Sequence, residues 1–381
     1  MRCILKIQRL VFAFFLCAFS SCFYAAEPSL RDKIGQMLII GFQGKMVDES
    51  SSIAHSIKQD NIGGVILFDY NQQSQTFDKN IESPQQVQLL NQQLQHLTQK
   101  ANQLHHRINL PLLISVDYEG GRVNRLHPRY GFPEILSPKQ IGNKSLEEAN
   151  LSAGVMAHTL YSAGFNLNFF PELDVDVNPE NPIIGKLERS FSNEPEMVTQ
   201  YAQLYTRQFS EKKIQCAYKH FPGHGSSLAD SHLGFVEVTD TWNEQELIPF
   251  LQLLSLPNHC NMVMVAHIVN RKLDVTGLPA TLSYSMITGL LRHDLQFDGV
   301  VITDDMQMKA ISNYYGLEAA LTLSINAGVD MLIFGNQLVD KFQDPHEIIN
   351  IIERKVLSGE ISEQRIDDAY QHIIKMKQSL L

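Results

Sequence analysis

The stretch GVVITDD (299–305) shows the pattern that decides the fold, an apolar and largely β-branched run that ends in two acids. A continuous apolar run is typical of a strand that is buried on both faces, as in a parallel sheet covered by helices. Seven similar runs occur, at 36–41, 62–68, 112–117, 165–170, 214–219, 262–267 and 330–335. Segments with helical spacing separate them, among them 146–163, 194–211, 283–294 and 314–327. Eight strand–helix units predict a single (β/α)8 barrel rather than a doubly wound open sheet.

Polar side chains follow most of these apolar runs at the same end. They are Asp117, Asp174, Lys219, His220, His267, Asp304 and Asn336. The carboxyl ends of barrel strands meet at one face of the fold, and enzymes of this architecture carry their chemistry there. We therefore predict an active site at that face. Asp304 and Asp305 have one further interpretation, since either acid could cap the helix that follows.

The loop after the fifth run, KHFPGHGSSLADSH (219–232), concentrates basic and acidic side chains. Its proline and glycines exclude a regular helix. One interpretation is a metal site, but the spacing matches no common zinc pattern; another is an ordinary structural loop. We favour acid–base catalysis, in which Asp230 holds the ring of His232 and raises its pKa. His232 could then protonate a leaving oxygen and later activate a water molecule.

The segment VDYEGGRVNRL (116–126) places charged side chains around a Gly-Gly turn, without a phosphate-binding glycine pattern. Asp117 is predicted to accept hydrogen bonds from sugar hydroxyls, and Glu119 to belong to a structural salt bridge. Arg189 could lie at the surface, and its position in the sequence leaves this open. Asp304, at the rim of a barrel, is well placed to attack an anomeric carbon.

The first 26 residues are typical of an export signal. Residues 1–9 carry basic side chains and no acid, and 10–19 form an apolar run that is too short to span a bilayer. Cleavage could follow Ala25-Ala26, or Cys22 could be the lipid-attachment site of a lipoprotein. We assign the catalytic domain to 27–381 and expect an exported protein, periplasmic or anchored to the cell envelope.

Composition limits the function further. The formal net charge of −10 argues against a general nucleic-acid binder, which needs a basic surface to neutralise phosphates. Two cysteines beyond the signal segment, Cys216 and Cys260, do not make a disulfide framework, and we expect buried thiols, although an oxidising compartment would allow a bridge. The Gln/Asn-rich stretch 71–95 is predicted to be a loop that passes into a surface helix.

The motifs together resemble glycoside hydrolase family 3, specifically its bacterial β-N-acetylglucosaminidases of the NagZ type. The segments that carry the resemblance include IGGVILFDYN (62–71), SVDYEGGRVNRL (115–126), FNLNFFPELDV (165–175), KHFPGHGSSLADSHLG (219–234) and GVVITDDMQM (299–308). The resemblance covers nearly all of the chain beyond the signal segment. It implies the same (β/α)8 barrel and no metal or organic cofactor.

The resemblance also implies roles for individual residues. Asp304 matches the catalytic nucleophile, and Asp230 with His232 matches a dyad that supplies first the general acid and then the base. The residues that match sugar-binding positions are Asp117, Arg189, Lys219 and His220. The dyad lies on a loop rich in glycine and serine, so we expect it to move in after substrate binds. His224 matches no role, and we assign it to holding the shape of the loop.

The implied function is an exo-acting, retaining β-N-acetylglucosaminidase that removes terminal N-acetylglucosamine from peptidoglycan fragments (muropeptides). The alternatives are a family 3 β-glycosidase or glycoside phosphorylase with another sugar preference, and a cell-wall binding protein without catalysis. We expect the partners to be peptidoglycan-derived oligosaccharides containing N-acetylglucosamine, with no nucleic acid, and the protein to be a monomer. Cys22 would provide membrane attachment if a lipid is added there.

Overall fold

The computed structural model describes residues 27–339 and 342–381, so the predicted signal segment and Cys22 lie outside the described residues. Eight parallel strands close into a barrel in which β1 pairs with both β2 and β8. Their bounds are β1 Leu38–Gly41, β2 Gly64–Leu67, β3 Leu113–Val116, β4 Leu167–Asn168, β5 Gln215–Phe221, β6 Met262–Val265, β7 Val300–Asp305 and β8 Met331–Phe334. The predicted (β/α)8 barrel is confirmed, and each strand falls within or overlaps its predicted run.

Helices surround the barrel. They are α1 Leu30–Gln36, α2 Ser52–Gln59, α3 Pro84–Leu104, α4 Pro138–Gly142, α5 Leu146–Ala163, α6 Pro195–Glu211, α7 Ile248–Leu254, α8 Lys309–Ser312, α9 Leu317–Ala327, α10 Pro345–Leu357 and α11 Glu363–Gln378. A π-helix spans Ser285–Asp294, and 3-10 turns lie at Pro128–Tyr130, Glu244–Leu247 and Ala280–Leu282. A short antiparallel pair, Tyr118–Gly120 with Val123–Asn124, follows β3.

Local signals explain where the longer helices begin and end. Helix α5 starts at a capping box in which Ser145 and Glu148 satisfy each other's backbone N–H groups. It ends at Gly164, whose φ of 82° favours glycine. Helix α3 is the surface helix predicted after the Gln/Asn-rich stretch; Val87 and Leu90 on it are fully buried.

The core is formed by the strands and the inward faces of the helices. Every residue of strands β1, β2, β3, β6 and β8 is buried. Burying a Val, Leu or Ile side chain contributes about 1.5–3 kcal/mol. The apolar strand residues therefore fix the barrel, and the polar residues that follow them are left to the loops at its carboxyl face.

The fold corrects one expectation and excludes one alternative interpretation. Cys216 on β5 and Cys260 before β6 form a disulfide, with Cα atoms 5.1 Å apart, so the prediction of free thiols was wrong. The two positions are 44 residues apart in sequence, and only the parallel pairing of β5 with β6 brings them together. Helix capping does not explain the two acids either, because α8 begins at Lys309 and both Asp304 and Asp305 belong to β7.

Among the described residues, none of the helices combines the length and the apolar character needed to cross a membrane.

Candidate active site

A cavity of about 360 Å³ opens at the carboxyl face of the barrel. It falls in the size range of small-molecule sites. Six of the seven predicted site residues line it, namely Asp117, Arg189, Lys219, His220, His232 and Asp304. The seventh, Asp230, is hydrogen-bonded to His232. The predicted residues therefore converge on one site, as the shared strand ends required.

Asp304 lies at the end of β7 on the cavity wall. One carboxylate oxygen, Oδ1, accepts the backbone N–H of Asp305 at 2.8 Å. Burial alone would raise the pKa of Asp304, but the imidazoles of His220, His267 and His232 outweigh it and hold the pKa well below its usual range. Asp304 is therefore an ionised carboxylate, which is the form that a nucleophile or an electrostatic stabiliser needs.

The Asp230–His232 pair lies on the loop after β5. Nδ1 of His232 is 2.8 Å from Oδ1 of Asp230, and the same oxygen accepts the His232 backbone N–H at 2.8 Å. Partial burial lowers the pKa of His232, but the hydrogen bond to Asp230 and the charges of Asp304 and Asp230 raise it above its ordinary value overall. The side chain of His232 is 44% exposed and lines the cavity, so its ring is accessible to a ligand.

Neighbouring contacts fix the base of this loop. The backbone N–H of Ala310, in α8, donates to the carbonyl of Ser231 at 3.2 Å. The ring of His224 lies between Ser227, with Oγ 2.9 Å from Nδ1, and Ser231, with Oγ 3.4 Å from Nε2. His224 is buried, and burial lowers its pKa to about 4, so it is neutral. These contacts support the prediction that His224 holds the shape of the loop.

A buried ionic cluster supports one side of the cavity. Glu119 accepts from Nε and Nη2 of Arg189 at 2.8 and 2.9 Å, and Nζ of Lys219 lies 2.7 Å from its Oε1. Oε1 of Glu172 lies 2.8 Å from Nη2 of Arg189 and 3.7 Å from Nζ of Lys219. Burial and the charge of Glu119 raise the pKa of Glu172 well above its usual range. Burial opposes ionisation of Glu119 too, but its two cationic partners keep its pKa low.

This cluster settles two questions that the sequence left open. Arg189 is only 7% exposed and is not a surface residue, while Glu119 is 1% exposed and is confirmed as the centre of a structural salt bridge. Glu172 was missed by the sequence analysis. Its position directly after an apolar strand run, in FFPELDV (169–175), was the signal that could have identified it.

Asp117 occupies the border between this cluster and the open cavity. Its Oδ1 lies 3.4 Å from Nζ of Lys219, and its Oδ2 lies 3.6 Å from Nη2 of Arg125. The Asp117 side chain is 18% exposed, in contrast to the fully enclosed Glu119. Asp117 is thus positioned by cations and still presents carboxylate oxygen to a ligand.

His220 is held in one orientation by Asp174. Its Nδ1 lies 2.6 Å from Oδ2 of Asp174, whose Oδ1 accepts the backbone N–H groups of His220 and His224 at 3.2 and 2.7 Å. Nε2 of His220 lies 3.4 Å from Nη2 of Arg189. Asp174 therefore fixes the start of the loop after β5 and the direction of the His220 ring.

The structure adds His267 and Asp305 to the surroundings of Asp304. His267 is buried, with Nδ1 2.7 Å from Oγ1 of Thr281 and Nε2 3.0 Å from the carbonyl oxygen of Asp305. Burial and the charge of Asp304 raise the pKa of Asp305 to about 7, although backbone N–H groups of Gln307 and Gly335 oppose this. The adjacent acids of β7 thus differ in charge, with Asp304 ionised and Asp305 largely protonated below neutral pH.

Throughout residues 27–339 and 342–381, no group of three or more His, Cys, Asp or Glu side chains is arranged to hold a metal ion. Two of the histidines that suggested a metal site each contact a different carboxylate. Nδ1 of His220 lies next to Asp174, and Nδ1 of His232 lies next to Asp230.

Residues 29–376 match the glycosyl hydrolase family 3 N-terminal domain, which is more than half of the chain. The chain belongs to glycosyl hydrolase family 3. Its relatives include a β-hexosaminidase of Tolumonas auensis, 32% identical over 81% of this chain and 87% of the relative. Another is β-hexosaminidase A of Pseudoalteromonas piscicida, 34% identical over 74% of this chain and 47% of the relative.

A solved family 3 β-N-acetylglucosaminidase from Paenibacillus sp. has the same fold, with a TM-score of 0.82. It is 32% identical, and the match covers 92% of this chain and 62% of that chain. The chain thus spans about half the length of the Pseudoalteromonas relative and less than two thirds of the Paenibacillus enzyme. The predicted family is confirmed.

Proposed function

We propose that this family 3 protein is an exo-acting, retaining β-N-acetylhexosaminidase that removes terminal N-acetylglucosamine from peptidoglycan fragments. One observation carries the proposal. An ionised carboxylate, Asp304, lines the same cavity as a half-exposed imidazole, His232, whose pKa is raised and whose Nδ1 is held by Asp230. A nucleophile and a proton donor in one small cavity are the two groups that double displacement at an anomeric carbon requires.

In the first step, the free carboxylate oxygen of Asp304 attacks the anomeric carbon and the bond to the leaving oxygen breaks. The proton on Nε2 of His232 passes to that oxygen, so His232 becomes neutral. The electron pair of the broken bond stays with the leaving oxygen, and the sugar is left as an ester of Asp304. The transition state carries positive charge on the ring, which the carboxylate opposite it stabilises.

In the second step, neutral His232 takes a proton from water, and the water oxygen attacks the same carbon. The ester bond breaks, Asp304 regains its charge and His232 is protonated again, ready for the next cycle. Two inversions give net retention of configuration. Asp230 does not react with substrate in this scheme; it keeps the proton of His232 on Nδ1 and directs Nε2 toward the cavity.

The sugar is assigned to the charged and polar side chains of the ionic cluster that line the same cavity. Asp117 can accept hydrogen bonds from ring hydroxyls, while Arg189, Lys219 and His220 place N–H groups around the cavity. Buried carboxylate partners hold Arg189 and Lys219 in place, so hydrogen bonds from these two side chains to the sugar have a smaller ordering cost. The resemblance to the β-hexosaminidases and to the Paenibacillus β-N-acetylglucosaminidase supports an N-acetylated hexosamine as the sugar.

We place the enzyme outside the cytoplasm. The signal-like segment of residues 1–26 supports export. The disulfide between Cys216 and Cys260 is a second and independent support, because such bonds persist in oxidising compartments. Peptidoglycan fragments contain β-linked N-acetylglucosamine, and they are the substrate class that we propose.

The test is incubation of the purified protein with muropeptides, followed by identification of the released sugar by mass. We expect free N-acetylglucosamine from the wild type and none from Asp304→Ala. Inorganic phosphate should neither speed the reaction nor appear in the product, which separates a hydrolase from a phosphorylase. Binding of muropeptides without any release of sugar would contradict the proposal and favour a non-catalytic binding protein.

A further inference from the structure

The loop after β5, which carries Asp230 and His232, has two halves that differ in burial. Residues 222–227 are all buried, and we call them the inner half. In the outer half, 228–235, Leu228 is 71% exposed and the side chain of His232 is 44% exposed. The two groups proposed to control proton transfer lie on the outer half, so their position depends on what holds the inner half in place.

Glu246 packs directly against the inner half. It belongs to the 3-10 turn Glu244–Leu247 and is fully buried. Its Oε2 accepts the backbone N–H of Ser226 at 3.2 Å. Gly223 has a φ of 113°, and a Cβ at this position would lie 2.5 Å from Cβ of Glu246, which is too close for any side chain. Glycine at position 223 therefore allows this contact.

Trp242 provides a second contact from the same short segment. Its Nε1 donates to the carbonyl of Pro222 at 3.1 Å, and the residue is buried. Pro222 and Ser226 lie near the two ends of the inner half, so the segment holds both ends. Asp174 holds the main chain between them by accepting the backbone N–H of His224 at 2.7 Å.

Glu246 and Ser226 each have a buried side-chain oxygen that is not paired. Among the described residues, neither Oε1 of Glu246 nor Oγ of Ser226 makes a hydrogen bond of ordinary geometry. The Ser226 hydroxyl is nevertheless near enough to lower the pKa of Glu246. Buried polar atoms are nearly always paired in folded proteins, so a small adjustment that joins these two is favourable. Ser226 would then be held through both its main chain and its side chain.

The carboxyl group of Glu246 acts in this contact as a hydrogen-bonding group rather than as a charge. Burial and the charge of Asp174 raise its pKa to about 7, although the Ser226 hydroxyl and the backbone N–H groups of Ser226 and Gly225 oppose this. The carboxyl is therefore largely protonated and neutral below neutral pH. An amide of the same shape is a close substitute for it, which provides a conservative variant.

We propose that Glu246 is a positioning residue for the reaction. By holding Ser226 it fixes the inner half of the loop, and the outer half then carries Asp230 and His232 to the cavity from a fixed point. Glu246 does not line the cavity, so it acts through His232 and not by contact with substrate. This inference rests on the proposed function.

The experiment replaces the carboxyl group and measures kcat/KM at slightly acidic pH. Glu246→Leu removes the acceptor and keeps a side chain of similar size. It should lower kcat/KM for muropeptides by about ten- to a hundredfold, because a displacement of about 1 Å in a reacting group can cost about 10²-fold. The loss should be much smaller for 4-nitrophenyl β-N-acetylglucosaminide, whose leaving group needs no proton. Glu246→Gln retains the acceptor oxygen and should stay close to the wild type.

A double variant separates positioning from a general structural role. In the His232→Ala background, Glu246→Leu should lower kcat/KM for muropeptides no further, since two residues that act through one group have non-additive effects. The control is Glu244→Leu, because Glu244 is an exposed residue of the same turn. It should retain wild-type kcat/KM on both substrates.

Trp242 reports on the inner half of the loop without any substrate. It is the only tryptophan in the sequence, so the intrinsic tryptophan fluorescence comes from the indole that is hydrogen-bonded to Pro222. Glu246→Leu should move the emission to longer wavelength and increase its quenching by acrylamide. Glu246→Gln should match the wild type in both measurements. If circular dichroism shows that Glu246→Leu is unfolded, Glu246→Asp, which shortens the reach to Ser226, replaces it in the same comparisons.

Three results would overturn the inference. They are losses from Glu246→Leu and His232→Ala that multiply in the double variant, equal losses on the two substrates, and unchanged emission and quenching of Trp242 in Glu246→Leu. A Glu246→Gln variant as impaired as Glu246→Leu would also contradict it. Failure of the proposed function gives a different result, since the wild type would then release no sugar from either substrate while the fluorescence comparison still tests the contact of Glu246 with the loop.

Discussion

Oδ1 of Asp230 lies 2.8 Å from both Nδ1 and the backbone nitrogen of His232, so one carboxylate oxygen fixes the ring and the main chain of the proposed acid. Two bonds to the same oxygen restrict the rotation of the imidazole. They also keep its second nitrogen directed away from Asp230. Asp230 therefore fixes the position of His232 and, together with Asp304, raises its pKa above the ordinary value. This has consequences for the dependence of the proposed reaction on pH.

Replacing Asp230 with Asn should move the alkaline limb of the pH profile of kcat/KM to lower pH. The first step requires protonated His232, so activity falls as pH rises through its pKa. Burial lowers that pKa, and the bond to Asp230 and the negative charges of Asp304 and Asp230 raise it overall. Asp230→Asn removes one of these negative charges, so the pKa of His232 must be lower in the variant. Asp304 stays ionised throughout, because its own pKa is held well below the usual range.

The measurement is the pH profile of wild type and Asp230→Asn on the same muropeptide. A limb that stays in place while the maximal rate drops would show that Asp230 positions the ring without affecting its proton affinity. A limb that moves to higher pH would contradict the electrostatic argument.

Replacing His232 with Ala should affect poor leaving groups more than good ones. General acid catalysis typically contributes about 10²–10⁴-fold, and we expect a loss of this size in kcat/KM for muropeptides. The loss should be smaller for 4-nitrophenyl β-N-acetylglucosaminide, because nitrophenolate departs without needing a proton. Equal losses on the two substrates would argue against His232 as the proton donor.

A matched control for this variant exists on the surface. Nδ1 of His293 lies 2.8 Å from Oδ1 of Asp294, the same separation as between His232 and Asp230, but its side chain is 83% exposed and does not line the cavity. We expect His293→Ala to retain wild-type kcat/KM on both substrates.

Replacing Glu119 with Gln should destabilise the protein strongly. The change leaves Arg189 and Lys219 buried without their main anionic partner, and breaking a buried ion pair costs about 3–5 kcal/mol in the free energy of unfolding. Glu237→Gln is the control, since it breaks a 3.2 Å pair with Arg271 in which the side chains are 37% and 51% exposed. Exposed pairs contribute about 0–1 kcal/mol. Denaturant unfolding monitored by circular dichroism would compare the two variants, and similar losses would contradict the structural role of Glu119.

The disulfide gives a prediction about thiol chemistry. In protein purified from an oxidising compartment, Cys216 and Cys260 should resist alkylation until a reductant is added, and peptide mapping should find them linked. Removing a bridge that closes a loop of this length typically costs about 2–5 kcal/mol, so the double variant Cys216→Ser, Cys260→Ser should have a lower Tm. Free thiols in protein purified in this way would contradict the assignment.

The barrel and the convergence of the site could be predicted because both depend on local patterns. Apolar runs define the strands, and the fold itself collects the polar residues that follow them, such as Asp304 and His220, at one face. Contacts between segments that are far apart in the sequence could not be predicted from these local patterns. The Cys216–Cys260 bridge depends on the parallel registration of two strands, and the contact of Glu172 with Arg189 depends on how two loops pack.

The most direct test of the central claim is to trap the intermediate on the proposed nucleophile. The protein would be incubated with 5-fluoro-β-N-acetylglucosaminyl fluoride, whose reactive leaving group allows the ester to form and whose ring fluorine slows its hydrolysis. We expect a mass increase equal to one fluorinated sugar, mapped by peptide fragmentation to Asp304 and absent from Asp304→Ala. A stable adduct on another residue, or a product released with inverted configuration, would contradict the account.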